Sequence, residues 1–338
     1  MKVPWSTVAA EYIGFIVAFS ANIFLIFLIL TQTKQNFGSY KYLMLWFSIF
    51  SLWYSLIDIM TQPAMHTHKN AFIVICASWF KYDKFIGEVM ATTYVTSYGL
   101  TVVLLAIHFV YRYIAISRSS DLRYFHFPLA FIWPAIFFSV AVIWWGVVYA
   151  FMGITDFMND YMRDTILLNY EEDIGKLAYI APLYYIIEPD GSINIQWPVC
   201  IGMLYIMTVS STSFAVIVTL GFKIHQKMRR VQDMLAEKTR ELQRQLFYSL
   251  MVQTIVPTIL MFSPVSIISL SPVFGIELGR MANMTSICLA LYPALDPLVV
   301  MLFIRDYRKY ILKKVCKHNL VSSKNTRVST TTKHELTN

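Results

Sequence analysis

The amino-acid sequence predicts an all-α membrane protein folded as a bundle of seven transmembrane helices. Hydrophobic residues make up 57% of the 338-residue chain, charged residues make up only 14%, and the mean hydropathy is +0.54. Soluble domains carry about 25% charged residues. The composition therefore excludes an ordinary soluble domain.

Seven apolar runs are long enough to cross a bilayer, whose hydrocarbon core of about 30 Å requires about 20 helical residues. They lie at about 8–31, 42–64, 89–116, 127–151, 198–222, 247–271 and 283–304. Lys2 is the only early cation and no small-residue cleavage site follows the first run, so we expect a retained signal anchor. We assign 1–312 to one seven-helix domain, and we expect the polar residues 318–338 to form a disordered tail.

The distribution of cations predicts the orientation. The connections after spans one, three, five and seven contain 21 of the 28 Lys and Arg residues. Because cytoplasmic connections carry the excess of Lys and Arg, the N-terminus is predicted to lie outside and the C-terminus inside. The net charge of +8 mostly reflects this asymmetry, so nucleic acid is not an expected partner.

Two connections have structure of their own in this prediction. The outer connection 152–197 contains a helical pattern in TDFMNDYMRDTILL and two β-rich runs around Pro189-Asp190-Gly191, which indicate a hairpin. We predict that this hairpin forms a lid over the outer mouth of the bundle. Neither Gly nor Pro occurs from Phe222 to Val256, so helices five and six are predicted to extend into the cytoplasm.

Polar side chains within the spans are expected to face the interior, because exposing them to lipid is costly. Helix three carries such side chains along one face, which makes it the predicted central helix: Tyr94, Tyr98, Thr101, His108 and Arg112. The helical rise of 1.5 Å per residue predicts a polar layer in the inner half, formed by Asn22, Ser51, His108 and Asp296. For Ser51, a local bond to the backbone is the favoured alternative.

Several residues allow two interpretations. Asp58 lies in the outer half, where it either faces a ligand cavity or anchors a neighbouring helix. Pro257 and Pro264 form either a hinge or a static kink in helix six. Cys76 and Cys200 either form a disulfide or remain free, and Cys316 is a candidate for palmitoylation.

Four long stretches carry a resemblance to a known family: GSYKYLMLWFSIFSLWYSLID (38–58), HFVYRY (108–113), LQRQLFYSLMVQTIVPTILMFSP (242–264) and LYPALDPLVVMLFIRDYR (291–308). Over about 14–312 the chain resembles the nematode seven-transmembrane chemoreceptors of serpentine receptor class r, the str family that includes odorant receptors. The resemblance implies a G-protein-coupled receptor in the plasma membrane of a chemosensory neuron, at its sensory cilium. Its implied partners are a small environmental molecule such as an odorant, a heterotrimeric G protein and membrane lipid.

Two motifs are similar to those of rhodopsin-like receptors, with one departure each. Tyr111-Arg112-Tyr113 resembles the acidic-Arg-Tyr motif, but Tyr111 replaces the acid, which argues against an ionic lock within the motif. Asp296-Pro297 resembles the Asn/Asp-Pro motif of helix seven, but Val300 replaces the usual tyrosine.

From these motifs and the polar positions we assign two groups of candidate residues. The predicted ligand site comprises Tyr54, Asp58, Tyr94, Tyr98, Thr101, Tyr205, Thr208 and Ser266. The predicted coupling switch comprises Asn22, His108, Tyr111, Arg112, Tyr113, Pro257 and Asp296. After the last span we predict an amphipathic helix over about 305–317 with Tyr307, Tyr310, Ile311 and Val315 toward lipid.

Two functions of other classes compete with a receptor. One is a ligand-gated cation channel, although the seven-helix channels of insect chemosensation have the N-terminus inside. The other is a membrane hydrolase with a metal at His66 and His68, for which we identify no third ligand. No nucleophile motif or phosphate loop occurs in the sequence, so we expect neither an enzyme, a cofactor nor a metal centre.

Overall fold

The computed structural model describes residues 1–33, 39–117, 119–231 and 237–314. Within these ranges it contains seven helices that are long and apolar enough to cross a membrane, which confirms the predicted fold class. Cys316, Val315 and the predicted tail lie outside the described residues. We call the end of the bundle that carries the N-terminus the outer end, and the opposite end the inner end.

Each predicted span corresponds to a helix or to a pair of consecutive helices. The helices are α1 (Trp5–Gln32), α2 (Tyr40–Thr61), α3 (Lys84–Ser117), α4 (Ile132–Met152), α5 (Asp156–Tyr170), α6 (Trp197–Val231), α7 (Glu237–Pro257), α8 (Ser263–Leu270) and α9 (Asn283–Phe303). A tenth helix, α10, covers 305–314. The short α5 lies outside the bundle; a π-helical turn, Thr258–Phe262, joins α7 to α8 within the sixth span.

The membrane-spanning helices differ in how much of their surface is buried. The most apolar stretch of α3 is 72% buried, whereas those of α4 and α6 are each 22% buried. The polar face of α3 therefore lies at the centre, and the exposed apolar faces of α4 and α6 are suited to lipid. Two glycines permit close helix contacts, because a Cβ at Gly14 would collide with the Ala290 carbonyl and one at Gly99 would collide with the Trp144 ring.

The prolines of α9 require compensation within the bundle. Pro297 has no amide N–H, so the carbonyl of Pro293, four residues earlier, loses its partner within the helix. The Nδ2 of Asn22 in α1 donates to this carbonyl over 3.1 Å. Asn22 therefore ties α1 to α9 at the site of the helix break.

The outer end carries a three-stranded antiparallel sheet that the sequence analysis missed. Its strands are β1 (Pro63–His68), β2 (Ala71–Cys76) and β3 (Tyr179–Ile180), in the order β1-β2-β3. Val74 pairs with Ile180, and Pro63 pairs with Cys76. The predicted second span therefore ends at Thr61 rather than at residue 64, and the chain turns directly into β1.

Both faces of this sheet are covered. Ile73 and Ile75 pack against α5, whose predicted helix is confirmed. Alternate residues point the other way, because strand side chains alternate between faces, and Val74 packs with residues of the bundle. The predicted hairpin is also present as β4 (Tyr185–Ile187) and β5 (Ile193–Ile195).

The inner end differs from the prediction in one respect. The extensions of α6 and α7 are present, up to Val231 and from Glu237. The prediction that Tyr307 of α10 faces lipid was wrong, because Tyr307 is fully buried and its hydroxyl lies 2.6 Å from the Thr33 hydroxyl. Tyr310 and Ile311 also pack against the core of the bundle. The apolar face of α10 thus docks against the inner end of α1.

Candidate functional site

A largely apolar cavity of about 60 Å³ lies in the outer half of the bundle. It lies among α3, α4, α6, α8 and α9, and the outer sheet closes it. Its lining consists of Met65, Phe72, Val74, Tyr94, Val95, Tyr98, Trp144, Met152, Ile180, Pro182, Met203, Ile206, Val265, Ile268, Ser269 and Leu289. Such a site suits a small apolar molecule that a few polar groups orient.

The three-stranded sheet, rather than the predicted hairpin, forms the lid of this cavity. Met65, Val74 and Ile180 contribute its outer wall from β1, β2 and β3. The lid is attached to the connection before α9, because the Thr67 hydroxyl accepts hydrogen bonds from the backbone N–H groups of Leu278 (2.7 Å) and Gly279 (2.9 Å). The prediction was wrong about which strands cover the mouth, because β1 and β2 were not recognised.

One hydrogen-bond donor in the cavity wall lacks a partner among the described residues. The Trp144 Nε1 is fully buried and makes no hydrogen bond there, whereas the buried hydroxyl of Tyr94 lies beside the Asp58 carboxyl. A buried donor without a partner costs about 1–3 kcal/mol. A bound molecule with hydrogen-bond acceptors would remove that cost.

Five of the eight predicted ligand residues lie at the cavity, behind its wall or deeper in α3. Tyr94 and Tyr98 line the cavity. Tyr54 stacks on Tyr94 with ring centroids 5.8 Å apart, and Tyr205 meets Trp144 edge-on at 6.4 Å, so both stand behind the wall. Thr101 is buried deeper in α3, where its hydroxyl donates to the Ser97 carbonyl.

The prediction that Thr208 and Ser266 face the ligand was wrong. Thr208 and Ser266 are exposed on the outside of the bundle, where Thr208 donates to the Leu204 carbonyl of its own helix. In α8 the cavity is lined by Val265, Ile268 and Ser269, at helical spacing that turns position 266 outward. Sequence reasoning favoured polar residues and so missed Trp144 and most of the aliphatic wall.

Asp58 was expected either to face a ligand cavity or to anchor a neighbouring helix, and it lies one residue behind the cavity wall. It is 2% exposed and does not belong to the cavity wall, but its carboxyl lies beside the hydroxyl of Tyr94, which does. A second buried carboxyl, that of Glu11, lies close enough to interact with it electrostatically. Glu11 was missed because it lies within the apolar run of the first span.

In the inner half, Asp296 is held by a residue of the sixth span. Gln253 Nε2 donates to both Asp296 carboxyl oxygens, at 3.1 and 3.3 Å. A cavity of about 10 Å³ adjoins them and is also lined by His108 and Ser48. The predicted polar layer is therefore present around Asp296 and His108, whereas Asn22 and Ser51 lie outside the cavity wall.

Arg112 is fully enclosed at the inner end. One guanidinium nitrogen donates to the Gln243 carbonyl of α7 over 2.8 Å, and the group lies 5.4 Å from the centre of the Tyr40 ring. Among the described residues no carboxylate lies within 4.0 Å of the guanidinium. Arg112 is thus connected to α7 by a hydrogen bond to the backbone rather than by an ionic lock.

The tyrosines on either side of Arg112 make different contacts. Tyr111 stacks on Tyr40 at 5.4 Å and meets Phe125 edge-on at 4.8 Å, which fixes the inner end of α3 to its neighbours. Tyr113 lies 6.0 Å from the Lys223 ammonium of α6.

Comparison with known proteins identifies the family. A model described as serpentine type 7TM GPCR chemoreceptor Str matches residues 7–312. The chain is 34% identical to serpentine receptor class r-10 of Caenorhabditis elegans over 328 aligned residues, and the alignment covers 95% of this chain and 96% of the C. elegans protein. It is 33% identical over 316 residues to the Caenorhabditis briggsae protein of the same name, covering 92% of each. The C. elegans G-protein coupled receptor str-217 is 28% identical over 310 residues, covering 89% of this chain and 87% of its own.

The chain belongs to the Str family of seven-transmembrane chemoreceptors. Membership confirms the resemblance found in the sequence and makes the protein a multi-pass membrane receptor rather than an enzyme. It does not favour the alternative of a cation channel.

The cysteines of this Str receptor are free thiols where they are described. Cys76 is buried, with its sulfur 3.4 Å from the Ser78 hydroxyl, and burial raises the pKa of its thiol. Cys200 donates to the Tyr184 carbonyl over 3.5 Å. The two do not form the disulfide that was considered.

The two histidines of the lid contact different neighbours. His66 Nε2 lies 2.9 Å from the Thr165 hydroxyl, and His68 Nδ1 lies 3.5 Å from Glu277. Burial lowers the pKa of His66 to about 4, because an imidazolium would be poorly solvated there. Within the described residues, no three His, Cys, Asp or Glu side chains form a group suited to a metal ion.

Proposed function

We propose that this Str receptor detects a small, uncharged environmental molecule in the outer cavity and activates a heterotrimeric G protein at its inner end. The observation that carries the proposal is the largely apolar cavity, with a buried donor, Trp144 Nε1, that lacks a partner among the described residues. The cation count further supports an outer N-terminus, with the cavity on the environmental side.

The size and polarity of the cavity limit the ligand. At about 60 Å³ it is less than half the volume of an engineered apolar cavity of about 150 Å³ that binds benzene. A charged group is disfavoured, because none of the lining side chains is ionised at neutral pH. We therefore expect an odorant with few non-hydrogen atoms and at least one hydrogen-bond acceptor, such as a carbonyl oxygen.

The inner end supports coupling to a G protein. The hydrogen bond from Arg112 to the Gln243 carbonyl holds the start of α7 against α3. The π-helical turn that follows Pro257 interrupts regular α-helix within the sixth span, as π-turns at functional sites often do. Outward movement of the inner end of α7 about this turn would break the bond and open a groove for a G-protein helix.

The coupling test uses Arg112→Ala, with Arg163→Ala on the outer helix α5 as the control for loss of a cation. Cells with matched surface expression are exposed to pooled small odorants while a sensor records G-protein dissociation. Arg112→Ala is expected to abolish the sensor response, and Arg163→Ala to retain it. Normal coupling by Arg112→Ala would count against the proposed switch.

The family further supports expression in a chemosensory neuron, with the receptor in the plasma membrane of its sensory cilium. A tagged full-length receptor expressed in such a neuron should concentrate in the cilium. An even distribution over the cell body, with the cilium unlabelled, would contradict this part of the proposal.

A further inference from the structure

The β4–β5 hairpin, which does not form the lid, has one apolar face that is exposed. Its register pairs Ile187 with Ile193 and Tyr185 with Ile195. Directly opposed residues lie on the same face of a sheet, so these four side chains share one face. Ile187 is 60% exposed and Ile193 is 64% exposed, whereas Tyr185 is half-buried and packs against the bundle. The face therefore begins on the bundle and extends beyond its edge.

The opposite face of the hairpin is turned toward the outer layer of the protein. Ile186, which alternates with Ile187 along β4, packs against the hydrophobic cluster formed by α5 and the three-stranded sheet. Its cross-strand partner, Asn194, is polar and exposed. Ile193 and Asn194 are thus adjacent residues of β5 that lie on opposite faces.

Hydrogen bonds fix the hairpin at its tip and at its base. At the tip, an Asp190 carboxyl oxygen accepts hydrogen bonds from the Ser192 amide (2.9 Å) and the Ser192 hydroxyl (2.6 Å). At the base, the Gln196 amide donates to the Tyr184 carbonyl over 2.9 Å. The Tyr184 hydroxyl donates to the Ser269 carbonyl of α8 over 2.7 Å. The apolar face is therefore preformed.

The exposed apolar surface continues from the hairpin onto the outward side of α6. Ile195 lies two residues before Trp197, the first residue of α6, and Trp197 is 64% exposed. Ile201 and Leu204 follow it at spacings of four and three residues and are also exposed. Residues at these spacings lie on one face of a helix. Because tryptophan is enriched where a membrane meets water, Trp197 marks the headgroup level next to the base of the hairpin.

The charge of the hairpin indicates which lipid surface it fits. No Lys or Arg occurs in the sequence from 177 to 222, and the acids Glu188 and Asp190 lie at the tip of the hairpin. Anionic lipids give the cytoplasmic leaflet its negative surface potential, and that potential attracts cations. An apolar face without cations, at the outer end, therefore fits zwitterionic lipid of the outer leaflet.

We propose that the β4–β5 hairpin is a membrane anchor that lays Ile187, Ile193 and Ile195 into the headgroup region of a zwitterionic outer leaflet. Ile193 lies four residues from Trp197, at most about 13 Å along an extended strand, so the apolar face reaches the boundary between headgroups and acyl chains. Contact with lipid removes the isoleucine side chains from water. Asn194, on the opposite face, stays in contact with water.

The anchor connects the lid to the bilayer. The hairpin follows Pro182, which lines the outer cavity and whose carbonyl accepts a hydrogen bond from the Phe72 amide of β2 over 3.3 Å. The Tyr184 amide donates to the carbonyl of Asn70, in the turn between β1 and β2, over 3.1 Å. The hairpin that touches lipid is thus bonded through its backbone to the strands that close the cavity. The membrane contact itself does not rest on the proposed function.

The test places an environment-sensitive fluorophore on single introduced cysteines of the full-length receptor in phosphatidylcholine nanodiscs. Ile193→Cys and Ile187→Cys carry the fluorophore on the apolar face, and Asn194→Cys carries it on the opposite face. The unmodified receptor, labelled in parallel, gives the background from its own thiols. All three positions are exposed, so the substitutions leave the fold intact. Ile193→Cys and Ile187→Cys should show blue-shifted emission, quenching by a nitroxide on the lipid acyl chain and protection from aqueous iodide. Asn194→Cys should show the reverse.

Three outcomes would overturn the proposal. Quenching of Ile193→Cys and Ile187→Cys by iodide but not by the lipid nitroxide would place the apolar face in water. Protection of both from both quenchers would mean that a protein surface, such as a second receptor, covers the face. Equal quenching of Asn194→Cys by the lipid nitroxide would mean that the fluorophore enters the membrane from either face. None of these outcomes depends on whether the receptor responds to an odorant.

Discussion

Replacing Asn22 by Leu tests how the break in α9 is tolerated. The substitution preserves most of the side-chain volume but removes the donor to the Pro293 carbonyl, at 3.1 Å. That carbonyl has no partner within α9, because Pro297 lacks an N–H. Leaving a buried carbonyl unsatisfied costs about 1–3 kcal/mol, and hydrogen bonds within membranes lie at the lower end. We expect Asn22→Leu to lower the free energy of unfolding by about 1–2 kcal/mol.

A double-mutant cycle isolates the cause. Pro297→Ala restores an amide N–H that bonds the Pro293 carbonyl, so in that background Asn22→Leu should cost about 1 kcal/mol less. The free energies are measured by denaturant unfolding of the purified receptors in detergent, with thermal midpoints recorded in parallel. Thr31→Val, which removes a bond to the Phe27 carbonyl of the same helix at an exposed position, serves as the control. An equal cost of Asn22→Leu in both backgrounds would refute the compensation between Asn22 and Pro297.

Three further predictions concern the lid, the cavity and the inner helix. The pKa of His66 is about 4 in the folded state and 6.5 in the unfolded state, so the unfolded state binds the proton more readily. The contribution of neutral His66 to the free energy of unfolding is therefore fully present above about pH 6.5, and about 3 kcal/mol of it is lost as the pH falls to 4. His66→Gln should flatten this dependence of thermal unfolding on pH and His126→Gln, at an exposed position, should not; an unchanged profile for His66→Gln would contradict the assignment. Trp144→Phe should raise the half-maximal concentration of an acceptor-bearing odorant about 5- to 150-fold, the equivalent of 1–3 kcal/mol, while an unchanged dose-response curve would exclude Trp144 as a donor to the ligand. Tyr307→Phe removes the bond to Thr33 and should make α10 more accessible to protease, so equal cleavage rates would show that this bond does not hold α10.

The helices were predictable because the bilayer imposes a length and an apolar composition on each span. The helix α5 and the β4–β5 hairpin were also predictable, the first from its helical spacing and the second from the Pro189-Asp190-Gly191 turn, where Gly191 has a φ of 85°. The β1–β2 hairpin was missed because Lys69 and Asn70 occupy its two-residue turn, with a positive φ at Lys69, and this pair lacks the usual Asn-Gly or Asp-Gly signature.

The candidate site was predictable only where polarity marks it. Tyr94, Tyr98 and Arg112 lie on the interior face of α3 because lipid excludes them. Thr208 and Ser266 show the limit of this rule, since a hydroxyl that bonds its own helix is tolerated on the outside, as Thr208 does with the Leu204 carbonyl. Aliphatic residues such as Ile268 line the cavity, but their sequence does not distinguish them from residues that face lipid.

The most direct test of the receptor mechanism compares two adjacent residues of α8. Ile268 lines the cavity and is 3% exposed, whereas Ile267 is 59% exposed on the outside of the bundle. Ile268→Phe should fill the cavity and Ile267→Phe should not. Cells that express each variant at equal surface density receive pooled small odorants while G-protein dissociation and membrane current are recorded together.

The mechanism predicts a G-protein response without immediate current in the wild type and in Ile267→Phe, and its loss in Ile268→Phe. Undiminished sensitivity of Ile268→Phe would contradict the assignment of the ligand to this cavity. A rapid current that persists when G proteins are blocked would instead mean that the protein acts as a ligand-gated channel.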